Sequence, residues 1–273
     1  MRVLTSLLIL FALFSCQDST AQTQPPLAPG ASPQGSQKSV QQYHAEDGGV
    51  SEILESIVIP PKTKSPFSLV LQTEWVKTLS DGGTITSVNQ RRIARDSEGR
   101  IYQERWLLVP KNGKQKSQMT TIQISDPNNH TLYNCFMLDQ RNQCALITYT
   151  PSPNAIYRFQ GPSTGSLAND AGSVIHEDLG KELTSGVETA GTRDSTIYNP
   201  GVFGNDRRMT IEREFWYSEK LGINLLSIRS DPRIGTQTFT VTNLILSEPD
   251  QKLFELPEGF KVVDRRDSAP PEN

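Results

Sequence analysis

Met209-Thr210-Ile211-Glu212-Arg213-Glu214-Phe215-Trp216-Tyr217 sets Met209, Ile211, Phe215 and Tyr217 at one parity and Thr210, Glu212, Glu214 and Trp216 at the other. Side chains of a β-strand alternate between its two faces, so this spacing predicts a strand with one face turned toward a core. The pattern returns in Thr236 to Ser247, where Phe239, Val241 and Ile245 alternate with Thr238, Thr240 and Thr242. A sheet with one apolar and one polar side is the antiparallel signature.

Outward from these two strands, turn signals recur at about ten-residue intervals, the rhythm of an antiparallel meander. Strands are expected at Phe67 to Leu79, Thr84 to Ala94, Ile101 to Val109, Gln115 to Ile124, Thr131 to Leu138 and Gln143 to Thr150. The segments between them, Asp81-Gly82-Gly83, Ser97-Glu98-Gly99, Lys111-Asn112-Gly113, Asp126-Pro127-Asn128-Asn129 and Asp139 to Asn142, are chemically suited to reversing a chain. Pro151 to about Gly180 reads as irregular. Strands then resume at Glu188 to Ile197, Met209 to Tyr217, Ile223 to Arg229, Thr236 to Ser247 and Lys261 to Asp264. So many strands do not stay flat, and they are expected to curl into a barrel, half-barrel or sandwich.

The first residues read as an address. Arg2 precedes the apolar run Leu7 to Phe14, and small and polar residues follow, so residues 1–21 are expected to be an export signal. Ser19-Thr20-Ala21 offers one cleavage site, giving a mature chain from Gln22. Leu13-Phe14-Ser15-Cys16 offers another, as a lipoprotein box in which Cys16 is acylated. Residues 22–47 are rich in Pro, Gln, Ser, Gly and Ala and read as a disordered linker, because they bury too little to repay the entropy of ordering. Val50, Ile53, Leu54, Ile57 and Val58 recur at helical spacing until Pro60-Pro61 ends the pattern, which predicts one short helix. Residues 48–266 are then a single β domain and 267–273 a disordered tail.

The chain of 273 residues holds 35% hydrophobic and 21% charged residues with a formal net charge of -3. That balance gives no broad attraction to nucleic acid. After the N-terminal run no apolar stretch approaches the roughly 20 residues that span a bilayer, so no transmembrane segment is expected in the mature chain. Either cleavage removes Cys16 from the three cysteines as a free thiol, leaving Cys135 and Cys144 on two strands joined by a turn. In an oxidising compartment that pair suggests a disulfide, against two buried free thiols.

Ala94-Arg95-Asp96-Ser97-Glu98-Gly99-Arg100, Ile124-Ser125-Asp126-Pro127, Gly204-Asn205-Asp206, Phe215-Trp216-Tyr217-Ser218, Ser230-Asp231-Pro232-Arg233 and Glu248-Pro249-Asp250 resemble the motifs of an uncharacterised family of exported bacterial proteins. The strand with Trp216-Tyr217, the Leu221-Gly222 turn, the Thr-rich strand and Leu253-Phe254-Glu255-Leu256-Pro257 are also similar to the outer-membrane lipoprotein carrier and sorting superfamily, LolA/LppX-like. This resemblance implies a mostly β, LolA-like half-barrel. It is a curled antiparallel sheet of about ten or eleven strands with one short N-terminal helix, where the carriers use several helices as a lid over a lipid cavity. It also implies a place in the periplasm or at the outer membrane, with a lipid, a lipoprotein or another apolar ligand bound in the concavity of the sheet. The alternative is an interaction or structural module whose exposed sheet edge or face docks another envelope protein and which needs no ligand cavity.

Of the aromatics, Trp75, Trp106, Phe136, Phe215 and Phe239 are candidates to line a cavity for an apolar ligand, or equally to fill a closed core. No catalytic set, metal site or cofactor is expected. Gly161-Pro162-Ser163-Thr164-Gly165, with Asp170 and His176 after it, matches a hydrolase elbow formally, but no strand-to-helix turn surrounds it and it reads as a loop. His44, His130 and His176 are too scattered for zinc. Glu212 and Glu214, about 7 Å apart on one strand face, sit among Arg207, Arg208 and Arg213 and read as solvated ion pairs rather than a glycosidase pair. Arg91, Arg92, Arg95 and Arg100 read as a solvated hairpin, offset by Asp96 and Glu98, rather than a patch for anionic headgroups.

Overall fold

The computed structural model describes residues 57–150 and 163–266. The expected export signal with Cys16, the linker, the tail and all but the last residues of the Val50 to Val58 pattern lie outside the described residues. Fourteen strands follow in order: β1 (Phe67–Thr78), β2 (Thr84–Arg95), β3 (Ile101–Trp106), β4 (Val109–Pro110), β5 (Met119–Asp126), β6 (Thr131–Phe136) and β7 (Gln143–Thr148), then β8 (Gly165–Ser166), β9 (Gly172–Thr184), β10 (Val187–Tyr198), β11 (Met209–Ser218), β12 (Ile223–Asp231), β13 (Gly235–Ile245) and β14 (Lys261–Asp264). They form one curled, unclosed sheet in the order β14-β7-β6-β5-β3-β2-β1-β13-β12-β11-β10-β9-β8, with the short β4 paired to β2 off that path.

Hairpin partners account for most of the ladder, and two pairings between strands remote in sequence complete it. β1 pairs with β13 as well as with β2, which joins the N-terminal and C-terminal runs of strands into one sheet. β14 adds to β7 in parallel. The strand count exceeds the expected ten or eleven through the two-residue β4 and β8 and the long β9, of which β8 and most of β9 lie where an irregular stretch was expected. In β9 Glu177, Asp178, Lys181 and Glu182 are exposed and Val174 is the one buried residue, so it carries no period-two apolar signal. Its twelve register pairs with β10 hold it in place.

β1 buries every second residue, Phe67, Leu69, Leu71, Thr73 and Trp75, and these define the inner face of the sheet. At one end of that face Phe67, Leu69, Leu71, Ile93, Leu225, Phe239 and Val241 pack with Leu221 and with Ile57 and Ile59 from the segment before β1. Each such side chain contributes about 1.5–3 kcal/mol on burial. Ile245, expected beside Phe239 and Val241, is 57% exposed. Asn243 adopts a left-handed φ of 48°, the β1–β13 register shifts there, and Leu244 packs against the core in its place.

A second core lies on the opposite face of β2, β3, β5, β6 and β7. Ala94, Tyr102, Ile122, Ile124, Cys135 and Cys144 are covered there by Leu253, Phe254 and Phe260 of the C-terminal segment. Cys135 and Cys144 stand directly opposite across β6 and β7 and are joined in a disulfide, with Cα atoms 3.9 Å apart.

The expected solvated hairpin of arginines is corrected. Arg91 and Arg95 are 2% and 0% exposed, because strand parity turns both to the inner face while Arg92 and Arg100 reach Glu104 and Asp96. Arg95 donates from Nη1 to the Pro60 carbonyl and from Nη2 to those of Ser65 and Leu221, at 2.8–2.9 Å. Burial pulls its pKa down to about 10, so it remains a cation at neutral pH.

Candidate functional site

Among the described residues, the inner face of β3, β5 and β6 carries no apolar core beyond Ile101 at the start of β3. The outer core sets the parity: Ile122, Ile124 and Cys135 point outward, so Gln123 and Asn134, paired in register with each other and with Gln103, point inward. Arg105 Nε donates to Gln123 Oε1 at 3.0 Å and Gln123 Nε2 to Asn134 Oδ1 at 2.9 Å. This amide chain floors a cavity of about 750 Å³ bordered by Trp75, Trp106 and Phe136, with Ile85 and Leu107 at its rim. A volume of this size is in the range of small-molecule sites. Trp75 is fixed by donation from Nε1 to the Ile234 carbonyl at 2.7 Å, and Trp106 by donation to Glu104 Oε2 at 2.9 Å.

Of the five aromatics considered as lining, Trp75, Trp106 and Phe136 come together at this cavity. Phe239 lies in the inner-face core and Phe215, 6% exposed on β11, is buried away from the cavity. The polar floor was not anticipated, although the alternation of Gln123 with Ile122 and Ile124 carries its signal.

Beside the cavity a polar row crosses seven strands in register: Ser87, Trp75, Gln237, Arg229, Arg213, Asp194 and His176. His176 Nδ1 lies 2.6 Å from Asp194 Oδ1. Several buried polar atoms in and next to this row have no hydrogen-bond partner among the described residues: Gln237 Oε1, Arg229 Nε, Asp194 Oδ2, Thr73 Oγ1, Asn89 Oδ1, and Nε and Nη1 of Arg91. Leaving such groups unpaired costs about 1–3 kcal/mol each, more for a charged one.

No family model matches the chain, and no curated protein matches it. Among solved structures it is similar to a chain of the Pseudomonas aeruginosa MucA/MucB complex, at 12% identity and a TM-score of 0.37, over 77% of this chain and 63% of that one. It thus spans less than two thirds of that neighbour's length. It is similar to LprF from Mycobacterium bovis at 9% identity and a TM-score of 0.27, over 68% of this chain and 90% of that one. A LolA superfamily protein from Nitrosomonas europaea follows at 8% identity and a TM-score of 0.28, over 71% and 91%. These are likenesses of fold.

The remaining candidates fall outside the cavity. Ser163 is exposed, and His176 pairs with Asp194 rather than with Asp170, so the hydrolase order is not assembled in space. Glu214 accepts from Arg193 Nη2 at 2.8 Å and from Trp216 Nε1 at 2.8 Å on the outer face; the cation comes from the neighbouring strand, not from Arg207, Arg208 or Arg213. Among the described residues no helix is long and apolar enough to cross a membrane.

Proposed function

We propose that the chain is an exported envelope protein that holds the apolar part of a lipid or lipoprotein in the inner-face cavity of its curled sheet. The observation that carries this reading is the cavity of about 750 Å³ between Trp75, Trp106 and Phe136. Residues 1–21 then direct export, 22–47 link the β domain, residues 48–266, to its anchor or mature terminus, and Cys16 is acylated if cleavage falls before it. A second occupant of the same cavity, an apolar segment of another envelope protein, is favoured by the exposure of its rim, where Ile85 is 48% and Phe136 44% exposed.

Intact native mass measurement of the protein from the envelope of its own host tests the reading. A retained mass of a lipid or lipoprotein is expected, together with a mature terminus at Cys16 or Gln22. A co-purifying polypeptide without lipid would select the second occupant. Replacing Ser87, which borders the cavity, by Trp should lower binding of a long-chain fluorescent probe by about tenfold or more while leaving the far-ultraviolet spectrum unchanged. Undiminished binding in that variant would place the ligand elsewhere.

A further inference from the structure

Two arginines on the same face of β2 receive opposite treatment. Arg95 is fully buried and gives its donors to the carbonyls of Pro60, Ser65 and Leu221. Arg91, one inward position beyond Ile93 and directly opposite Leu71 of β1, is 2% exposed, and its Nε and Nη1 have no partner among the described residues. A buried guanidinium left open in this way is costly unless a counter-charge meets it.

What surrounds Arg91 is suited to that counter-charge. Continuing the β2–β3 register from Ile93 opposite Gln103 sets Arg91 against Arg105, which borders the cavity. Two adjacent cations repel each other, and an anion between them offsets that repulsion. Thr73, 2% exposed and opposite Asn89 on β1, adds an open hydroxyl one step along that can donate to an anion. Arg105 borders the cavity and Arg91 does not; Ser87, at the cavity edge, lies about 13 Å along β2 from Arg91 at the strand rise of ~3.3 Å per residue, so a head that is to meet Arg91 enters by way of Arg105.

We propose that Arg91, with Arg105 beside it, receives the anionic end of an amphipathic ligand, a carboxylate or phosphate monoester on a long acyl chain, whose aliphatic part occupies the cavity. This rests on the reading that the cavity takes an apolar ligand, and it adds the charge of that ligand and its direction of entry.

The test is displacement of cis-parinaric acid from the purified mature chain by palmitate, palmitoyl lysophosphatidate, hexadecanol and monopalmitoylglycerol. The two anions are expected to displace the probe about tenfold or more better than the two neutral lipids. Their order identifies the head as carboxylate or phosphate. Arg91→Leu should bring the preference for the anions to within about threefold, and Arg91→Lys should keep it. Because Arg91→Leu removes an unpaired buried charge, its ligand-free Tm should equal or exceed that of the parent. Equal displacement by anions and neutral lipids would overturn the anion subsite and leave the cavity reading standing. So would a preference that survives in folded Arg91→Leu. If none of the lipids binds, the cavity reading falls and takes the subsite with it.

Discussion

Arg95 holds together three parts of the chain that are remote in sequence: the segment at Pro60, the approach to β1 at Ser65, and the β11–β12 turn at Leu221. Its guanidinium carbon also lies over the Phe67 ring, 4.7 Å from its centroid. Removing the donors leaves buried carbonyls unsatisfied, which costs more than the net value of the bonds themselves. Arg95→Met is therefore expected to destabilise the domain by about 2–4 kcal/mol, read as a lower denaturant midpoint. It should also speed proteolysis within residues 60–65. A variant as stable as the parent would mean that the segment is held by Ile57 and Ile59 alone. Gly191 shows a different residue-level demand: a Cβ there would come within 2.7 Å of the Trp216 ring, which Glu214 fixes through the indole N–H, so the position accepts only glycine without a shift.

At the scale of elements, the β12–β13 turn is built on one buried carboxylate. Burial pushes the Asp231 pKa up, but hydrogen bonds from the Arg233 side chain and backbone outweigh it and hold the pKa below the ordinary value. The folded state therefore binds this proton less readily than the unfolded chain, whose Asp titrates near ~3.9. The stabilisation is present above that pH and is lost as pH falls through the folded pKa. Asp231→Asn should lower stability by about 1–3 kcal/mol at pH 7, with the gap between variant and parent closing toward pH 3. A gap independent of pH would assign the loss to the altered turn geometry instead of the charge.

The β6–β7 pair is the other element with a local fastening. Its disulfide closes a loop with a sequence separation of 9, for which chain-entropy arguments give about 2–3 kcal/mol. Because β14 is paired to β7, reduction or a Cys135→Ala, Cys144→Ala double variant should lower Tm and raise amide exchange in Lys261–Asp264 ahead of β1 or β13. Uniform loss of protection across the sheet would show that this edge does not open independently.

Over the whole molecule, one sheet carries two cores on opposite faces and at different places along it. The inner core sits at β1, β2, β12 and β13 under Ile57 and Ile59, and the outer core at β2 to β7 under Leu253, Phe254 and Phe260. Among the described residues, that offset frees the inner face of β5, β6 and the part of β3 beyond Ile101 from packing duty, since the same strands are already stabilised from outside. Phe254→Ala is expected to cost about 2–4 kcal/mol and, by loosening β5 and β6, to weaken ligand binding at a cavity that Phe254 does not border. Destabilisation with binding unchanged would separate the outer core from the site.

The sequence by itself determined the β-class of this chain, most of its hairpins and the facing cysteine pair, because those depend on alternation and turn chemistry within about ten residues. Met209 to Tyr217 and Phe67 to Leu79 could be read this way, and the floor residues Gln123 and Asn134 were within reach of the same rule. β9 was not, since its exposed charges leave no pattern and its place is set by β10. Nor was the flip at Asn243 that trades Ile245 for Leu244, because a single left-handed residue reverses the parity after it. Only the tertiary structure decided which aromatics pack and which border space. Phe239 and Phe136 look alike in sequence, yet Phe239 is closed over by the inner core while Phe136 stands at the rim of a cavity. The difference comes from the long-range pairing of β1 with β13 and from where the C-terminal segment lies, and neither is encoded in the residues next to them.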